Sequence, residues 1–206
     1  MISKIFPKIH AEGYKFLVIV VIITLILYGL SDFLGLIGLV LTIWVYYFFR
    51  DPERVIIDDN NYLVSPADGE VIKVEEVDGP KELNLENKKF KKISIFMNVF
   101  DCHVNRTPCG GKIEEILYKP GKFLNASFDK ASEDNERNYY KIKDPHNNDV
   151  VVVQIAGLVA RRIVCESNKD QELHQGDRIG MIRFGSRADV YYENYEPLVK
   201  VGQKAI

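Results

Sequence analysis

The chain has 206 residues, 27 of them basic and 29 acidic, for a formal net charge of -2, so no global basic field points to nucleic acid. With 47% hydrophobic residues it can hold one good core, or one core plus a membrane segment. Its three cysteines, Cys102, Cys109 and Cys165, cannot all pair with one another, which fits a reducing compartment.

Between residues 16 and 49 the only charged side chain is Asp32. Gly29-Leu30-Ser31-Asp32 divides this stretch into two apolar arms, 16–28 and 33–49. A spanning helix needs about 20 apolar residues, with a range of roughly 17–25. The second arm reaches that, and the first does so when Tyr14 and Gly29-Leu30 are counted with it. A secretory signal peptide is the competing expectation, because Lys4, Lys8 and Lys15 precede an apolar run. Against it, no clear small-residue cleavage site closes the first arm, and a second arm follows at once. The better reading is a membrane-associated hydrophobic hairpin over residues 1–50. Lys4, Lys8 and Lys15 then share a face with Arg50 and Arg54, and positive flanks favour the cytoplasm. Trp44, Tyr46 and Tyr47 fall near that interface. The rest of the chain, 51–206, is expected at the cytoplasmic face of the cell membrane, with the hairpin either spanning or entering one leaflet.

After Arg50-Asp51-Pro52 the composition changes to short β-like runs separated by turn residues. These are 71–77, 93–99, 113–118 and 149–155, the last a valine run suited to a buried strand. Two more, 178–182 and 188–192, flank Arg183-Phe184-Gly185-Ser186-Arg187. Glycine and proline punctuate at Gly79-Pro80, Gly110-Gly111 and Pro120-Gly121. Residues 126–138 have room for a short helix, and 81–92 read as a charged, solvated hairpin or loop. The expected fold class is mainly β (α+β): one globular domain behind an N-terminal hydrophobic helical hairpin.

Three places carry chemistry. Ser65-Pro66-Ala67-Asp68-Gly69 is a turn entering a strand, with Asp68-Gly69 also a common hairpin signal. His103, beyond the 93–99 run, is the best placed of four histidines to act as a general base, and Asp68 is the residue that would orient it. Cys102, His103 and Cys109 match no familiar zinc ligand spacing, so no metal is expected. Gly185-Ser186 between two β-like runs reads as a tight turn or bulge. It also reads as a nucleophile beside a carbonyl that no Cβ shields. Aspartate, histidine and serine make a triad only by geometry.

Taken together, 65–69, 97–111, Asn135-Glu136-Arg137-Asn138, 154–162 and 183–187, in this order behind an apolar hairpin, resemble the short bacterial-type phosphatidylserine decarboxylase proenzymes. The resemblance covers nearly the whole chain. It implies self-processing: Ser186 attacks the Gly185 carbonyl, the ester eliminates, and the new terminus becomes a covalent pyruvoyl group. A large chain, 1–185, and a small one, 186–206, result. It also implies that Asp68 and His103 are the orienting acid and the base, and that the pyruvoyl ketone acts as an electron sink much as pyridoxal would. The implied substrate is a membrane phospholipid. Longer family members carry a second histidine three places after the first, where this chain has Arg106. That guanidinium suits a lipid phosphate or a substrate carboxylate. Arg161, Arg162, Arg183 and Arg187 suit the same role, or are surface charge. Three other readings stay open: a decarboxylase of a related headgroup such as archaetidylserine, a serine hydrolase using Ser186, and a non-catalytic lipoyl-like β module. A homo-oligomer is compatible with each.

Overall fold

The computed structural model describes residues 7–57, 59–124, 126, 134–157, 162–183 and 186–206. Two apolar helices, Gly13–Leu30 and Asp32–Phe48, come first. Ser31 separates them because it is extended, with φ -167 and ψ 151, and its Oγ accepts from Leu34 N at 3.2 Å, capping the second helix. The helices run antiparallel. Thr24 and Thr42 hydroxyls meet at 2.9 Å, and a Cβ at Gly38 would lie 2.9 Å from Thr24 Cα, so only glycine permits this approach. The first helix has 18 residues and a mean hydropathy of 2.3, long and apolar enough to cross a membrane; at 1.5 Å per residue it is about 27 Å long. Its outer side is bare, with Leu25 67% and Ile26 61% exposed.

The hairpin is tied down at its base. Strand β1, Lys8–Ile9, pairs antiparallel with β2, Arg50–Asp51, on either side of the two helices. Phe48 and Phe49 are buried with Met181, against Ile9, Phe16, Trp44, Val45 and Val164.

The body is β3, Gly69–Asp78; β4, Lys89–Met97; β5, Val104–Arg106; β6, Gly111–Lys119; β7, Arg137–Lys143; β8, Asp149–Ala156; β9, Ile163–Cys165; β10, Glu172–Leu173; β11, Arg178–Ile182; β12, Ser186–Tyr192; and β13, Lys204–Ala205. Eight of them form an antiparallel sheet in the order β10-β6-β7-β8-β12-β4-β3-β13, and three form a smaller sheet, β5-β11-β9. All eight residues of β8 are buried, which is why a run of valines suits it. The small sheet is a spacer. Its Ile179 and Ile182 join the clusters on the large sheet, while Met181 faces the base of the hairpin.

The chain is therefore mainly β with an N-terminal apolar helical segment, as expected, and the runs 71–77, 113–118 and 149–155 all lie within observed strands. The run 93–99 loses its last two residues to a turn. One other expectation needs correction. Residues 81–92 are not a solvated loop: Leu83, Leu85 and Phe90 are buried with Tyr139, Val151 and Val153 behind the charged residues. The helix considered for 126–138 lies largely outside the described residues, and Arg137 and Asn138 begin β7.

Candidate active site

Ser186 is the first residue of β12, in register with Met97 of β4 on one side and Ala156 of β8 on the other. It is fully buried, and its Oγ lies 3.8 Å from Met97 Sδ. The runs either side of it belong to different sheets, so Ser186 stands at a crossing between sheets and not in a hairpin turn. Gly185, expected to be the scissile carbonyl, lies outside the described residues, as does Arg161.

His103 enters β5, is fully buried, and its carbonyl accepts from Ile182 N at 3.2 Å. The ring packs on Phe48 at 4.4 Å between centroids. Nδ1 is 3.0 Å from the Asp101 carbonyl. A carbonyl only accepts, so Nδ1 carries the proton and Nε2 keeps its lone pair. Among the described residues Nε2 is buried without a partner. Burial holds the imidazole neutral by pushing its pKa down to about 4, with the Arg50 charge adding to the effect against the Asp101 bond. A bare, neutral ring nitrogen in a dry site is the form a general base requires.

Asp68 ends the turn that leads into β3. Ser65 Oγ donates to Ala67 O at 2.7 Å and sets that turn. Gly69 then passes so close to β4 that a Cβ would sit 2.3 Å from Phe96 O, at a φ of +155 that other residues rarely adopt. The Asp68 carboxylate pairs with Arg54. Its pKa is raised all the same, because desolvation outweighs Arg54 and the more distant Arg50. Ala67, Met97, Ala156 and Ile182, neighbours of the three residues in sequence or register, share one apolar cluster. Among the described residues no hydrogen bond joins Asp68 to His103 or His103 to Ser186. The structure thus gathers the neighbours of the three around one cluster without closing the relay the sequence suggests.

Arg106 is already engaged. Its guanidinium donates to Gly176 O at 3.0 Å, Pro52 O at 3.0 Å and Asp51 Oδ1 at 3.1 Å, and Arg178 holds the other Asp51 oxygen at 2.6 Å. With Arg54, Asp68 and Cys102 it lines a cavity of about 270 Å³. A slightly larger, more apolar cleft of about 290 Å³, lined by Val71, Ile93, Tyr192, Tyr195 and Leu198, contains none of the expected site residues. Arg187 is not surface charge: it is fully buried and forks onto both Asp189 oxygens at 2.6 Å. Arg183 pairs with Glu12 at the base of the hairpin, and Arg162 is exposed.

Sequence reasoning assigned no role to a buried polar chain beside Ser186. Asn105 Nδ2 lies 3.5 Å from the same Met97 sulfur that Ser186 Oγ approaches. Gln154 Nε2 donates to Asn105 Oδ1 at 2.8 Å, fixing which end of the amide faces that sulfur, and the Tyr140 hydroxyl lies 2.9 Å from Gln154 Oε1. Asn135 and Glu136, noticed only as part of a motif, secure the strand end next to Ser186. Asn135 Nδ2 donates to Ala156 O at 2.7 Å, and Glu136 Oε1 accepts from Ile163 N at 3.1 Å.

Residues 41–206 match the phosphatidylserine decarboxylase family model. The chain is 79% identical, over its whole length and 96% of the relative, to the phosphatidylserine decarboxylase proenzyme of Pelagibacter ubique. The proenzymes of Ruegeria pomeroyi and Cereibacter sphaeroides are 54% identical over 96% of the chain and 90% of the relative, and 51% identical over 98% and 88%.

Proposed function

The chain belongs to the phosphatidylserine decarboxylase family, and from that premise we propose that it converts phosphatidylserine to phosphatidylethanolamine and CO2 on a pyruvoyl group made from its own Ser186. The observation that carries this reading is a buried serine at the head of the central strand, and a buried histidine whose neighbours share its apolar cluster and whose Nε2 has no partner among the described residues.

Processing needs a proton taken from Ser186 Oγ as it attacks the Gly185 carbonyl, and then one taken from Ser186 Cα as the ester C–O bond breaks. A neutral imidazole with a free Nε2 suits both steps. Addition of water and loss of ammonia complete the new terminus. The dry, apolar surroundings of Met97, Ala156 and Ala188 fit the small uncharged group that would remain, and disfavour competing hydrolysis. When present, the pyruvoyl group supplies the electron sink that decarboxylation requires. His103 then holds the proton to be returned to the substrate carbon, and Asp68 and Arg54 set the charge at the mouth of the cavity.

Cleavage before Ser186 would leave the small chain in place. Seven residues of β12 pair with β4 on one side and β8 on the other, and β13 pairs with β3. The apolar hairpin seats the body on a bilayer, where the phospholipid is. Lys8, Lys15, Arg50 and Arg54 at its base favour the cytoplasmic face for that body. Ser186→Ala is expected to run as one chain on a denaturing gel and to lack decarboxylase activity, while the wild type runs as two. An intact wild-type chain with full activity would refute the proposal.

A further inference from the structure

The turn after β4 is Asn98-Val99-Phe100-Asp101. Asn98 Oδ1 accepts from Phe100 N at 2.8 Å, Asp101 Oδ2 from Asn98 N at 2.9 Å, and Asn98 O from Asp101 N at 3.0 Å. Three bonds across four residues make a stiff turn, and its tip holds out Phe100, 71% exposed. A single exposed aromatic residue is ordinary; its attachment is not. Arg50 donates from Nη2 to Phe100 O at 2.9 Å and from Nη1 to Tyr47 O at 2.7 Å, with its guanidinium 5.9 Å from the Tyr47 ring centre. Tyr47 is 45% exposed in the last turn of the second apolar helix. One guanidinium therefore fixes Phe100 to the level where that helix leaves the hydrocarbon, the depth that aromatic and basic side chains favour. Among the described residues no carboxylate lies within ion-pair distance of Arg50, which leaves its charge for an anionic headgroup.

We propose that the 98–101 turn is a second membrane-contact element, with Phe100 set into the interface of an anionic bilayer and Arg50 against a lipid phosphate. This rests on the reading that the hairpin lies in a bilayer. The turn also carries the Asp101 carbonyl that holds His103 Nδ1, so contact with lipid and the placement of the base share four residues. Docking of the turn would hold the mouth of the site at the headgroup layer while the hairpin anchors the chain.

The test uses the full chain in vesicles of phosphatidylcholine and phosphatidylglycerol, with and without bromine on the upper acyl carbons. The sequence has one tryptophan, Trp44, and its quenching in the wild type reports the hairpin. In a Trp44→Phe, Phe100→Trp variant, emission is expected to shift to the blue and to be quenched by the brominated lipid. Phe100→Ser is expected to raise KM for vesicle-borne phosphatidylserine by about tenfold, the worth of a partly buried phenyl ring. Quenched Trp44 in the wild type, with an unquenched, water-exposed indole at position 100 in the variant, overturns the proposal and keeps the hairpin reading. Unquenched Trp44 overturns both. Docking of the turn on a soluble protein instead would leave the introduced indole unquenched in vesicles, and so counts against it.

Discussion

His103 has the form that a general base requires, and its surroundings alone impose that form. Burial keeps it neutral, the Asp101 carbonyl fixes its proton on Nδ1, and Nε2 is left without a partner among the described residues. His103→Ala should slow self-cleavage by about two to four orders of magnitude, the range that a positioned proton acceptor contributes, as read from the rate at which the full-length band disappears. The same burial has a cost in acid. The unfolded imidazole titrates near 6.5 and the folded one at about 4, so between those values the unfolded chain binds more protons. Stability should fall as pH drops through that window, by at most about 1.4 kcal/mol per pH unit. Asp68, whose pKa is raised, works in the opposite sense, so the contribution is read by difference. Thermal melts in a Ser186→Ala background should show a shallower acid slope once His103→Asn is added; an unchanged slope would contradict the assignment. Gln154→Leu removes the donor to Asn105 Oδ1 within a fully buried chain. It should cost about 1–3 kcal/mol, measured as a lower melting midpoint.

Between elements, the hairpin and the crossing before β12 matter most. The Thr24–Thr42 contact at 2.9 Å makes a direct test of the helix pairing: Thr24→Cys with Thr42→Cys should form an intramolecular disulfide under mild oxidation, and a slow-migrating dimer instead would contradict the pairing. Gly69→Ala should cost about 1–3 kcal/mol in backbone strain and loosen the start of β3, lowering the melting midpoint. Strands that bury apolar runs, such as β8, were legible in the sequence because composition alone marks them. β7 was not. Arg137 and Asn138 open it and its apolar positions alternate with lysines, so nothing local shows that Arg137 finds Glu82, in the turn between β3 and β4, at 3.4 Å. The 81–92 segment was misread for a related reason: its charged residues outnumber the three apolar ones that reach the core. The candidate site was legible as residue types, since Asp68, His103 and Ser186 stand out in order. Their actual partners, Arg54, the Asp101 carbonyl and Met97, come from pairings of distant segments that no local pattern encodes. Arg187 was weighed as surface charge because its fork onto Asp189 needs an alternation of strand faces that appears only once Ser186 is known to start β12.

For the molecule as a whole, the hairpin base, the small sheet and the large sheet are stacked so that the candidate site lies near the foot of an apolar hairpin. Met181 and Ile182, adjacent in sequence, face the hairpin base and the Ser186 cluster respectively. The β12 pairings on both sides explain why a broken backbone would not scatter the molecule. The central claim is that Ser186 becomes the head of a separate chain and loses its amine in doing so. Intact-mass measurement of the C-terminal fragment of the purified wild-type protein tests it most directly. The account predicts residues 186–206 with a mass lower by one ammonia than the peptide beginning with serine, together with a 1–185 chain ending in a free carboxylate. A fragment that begins with an ordinary serine, or an active protein that yields no fragment, would contradict it.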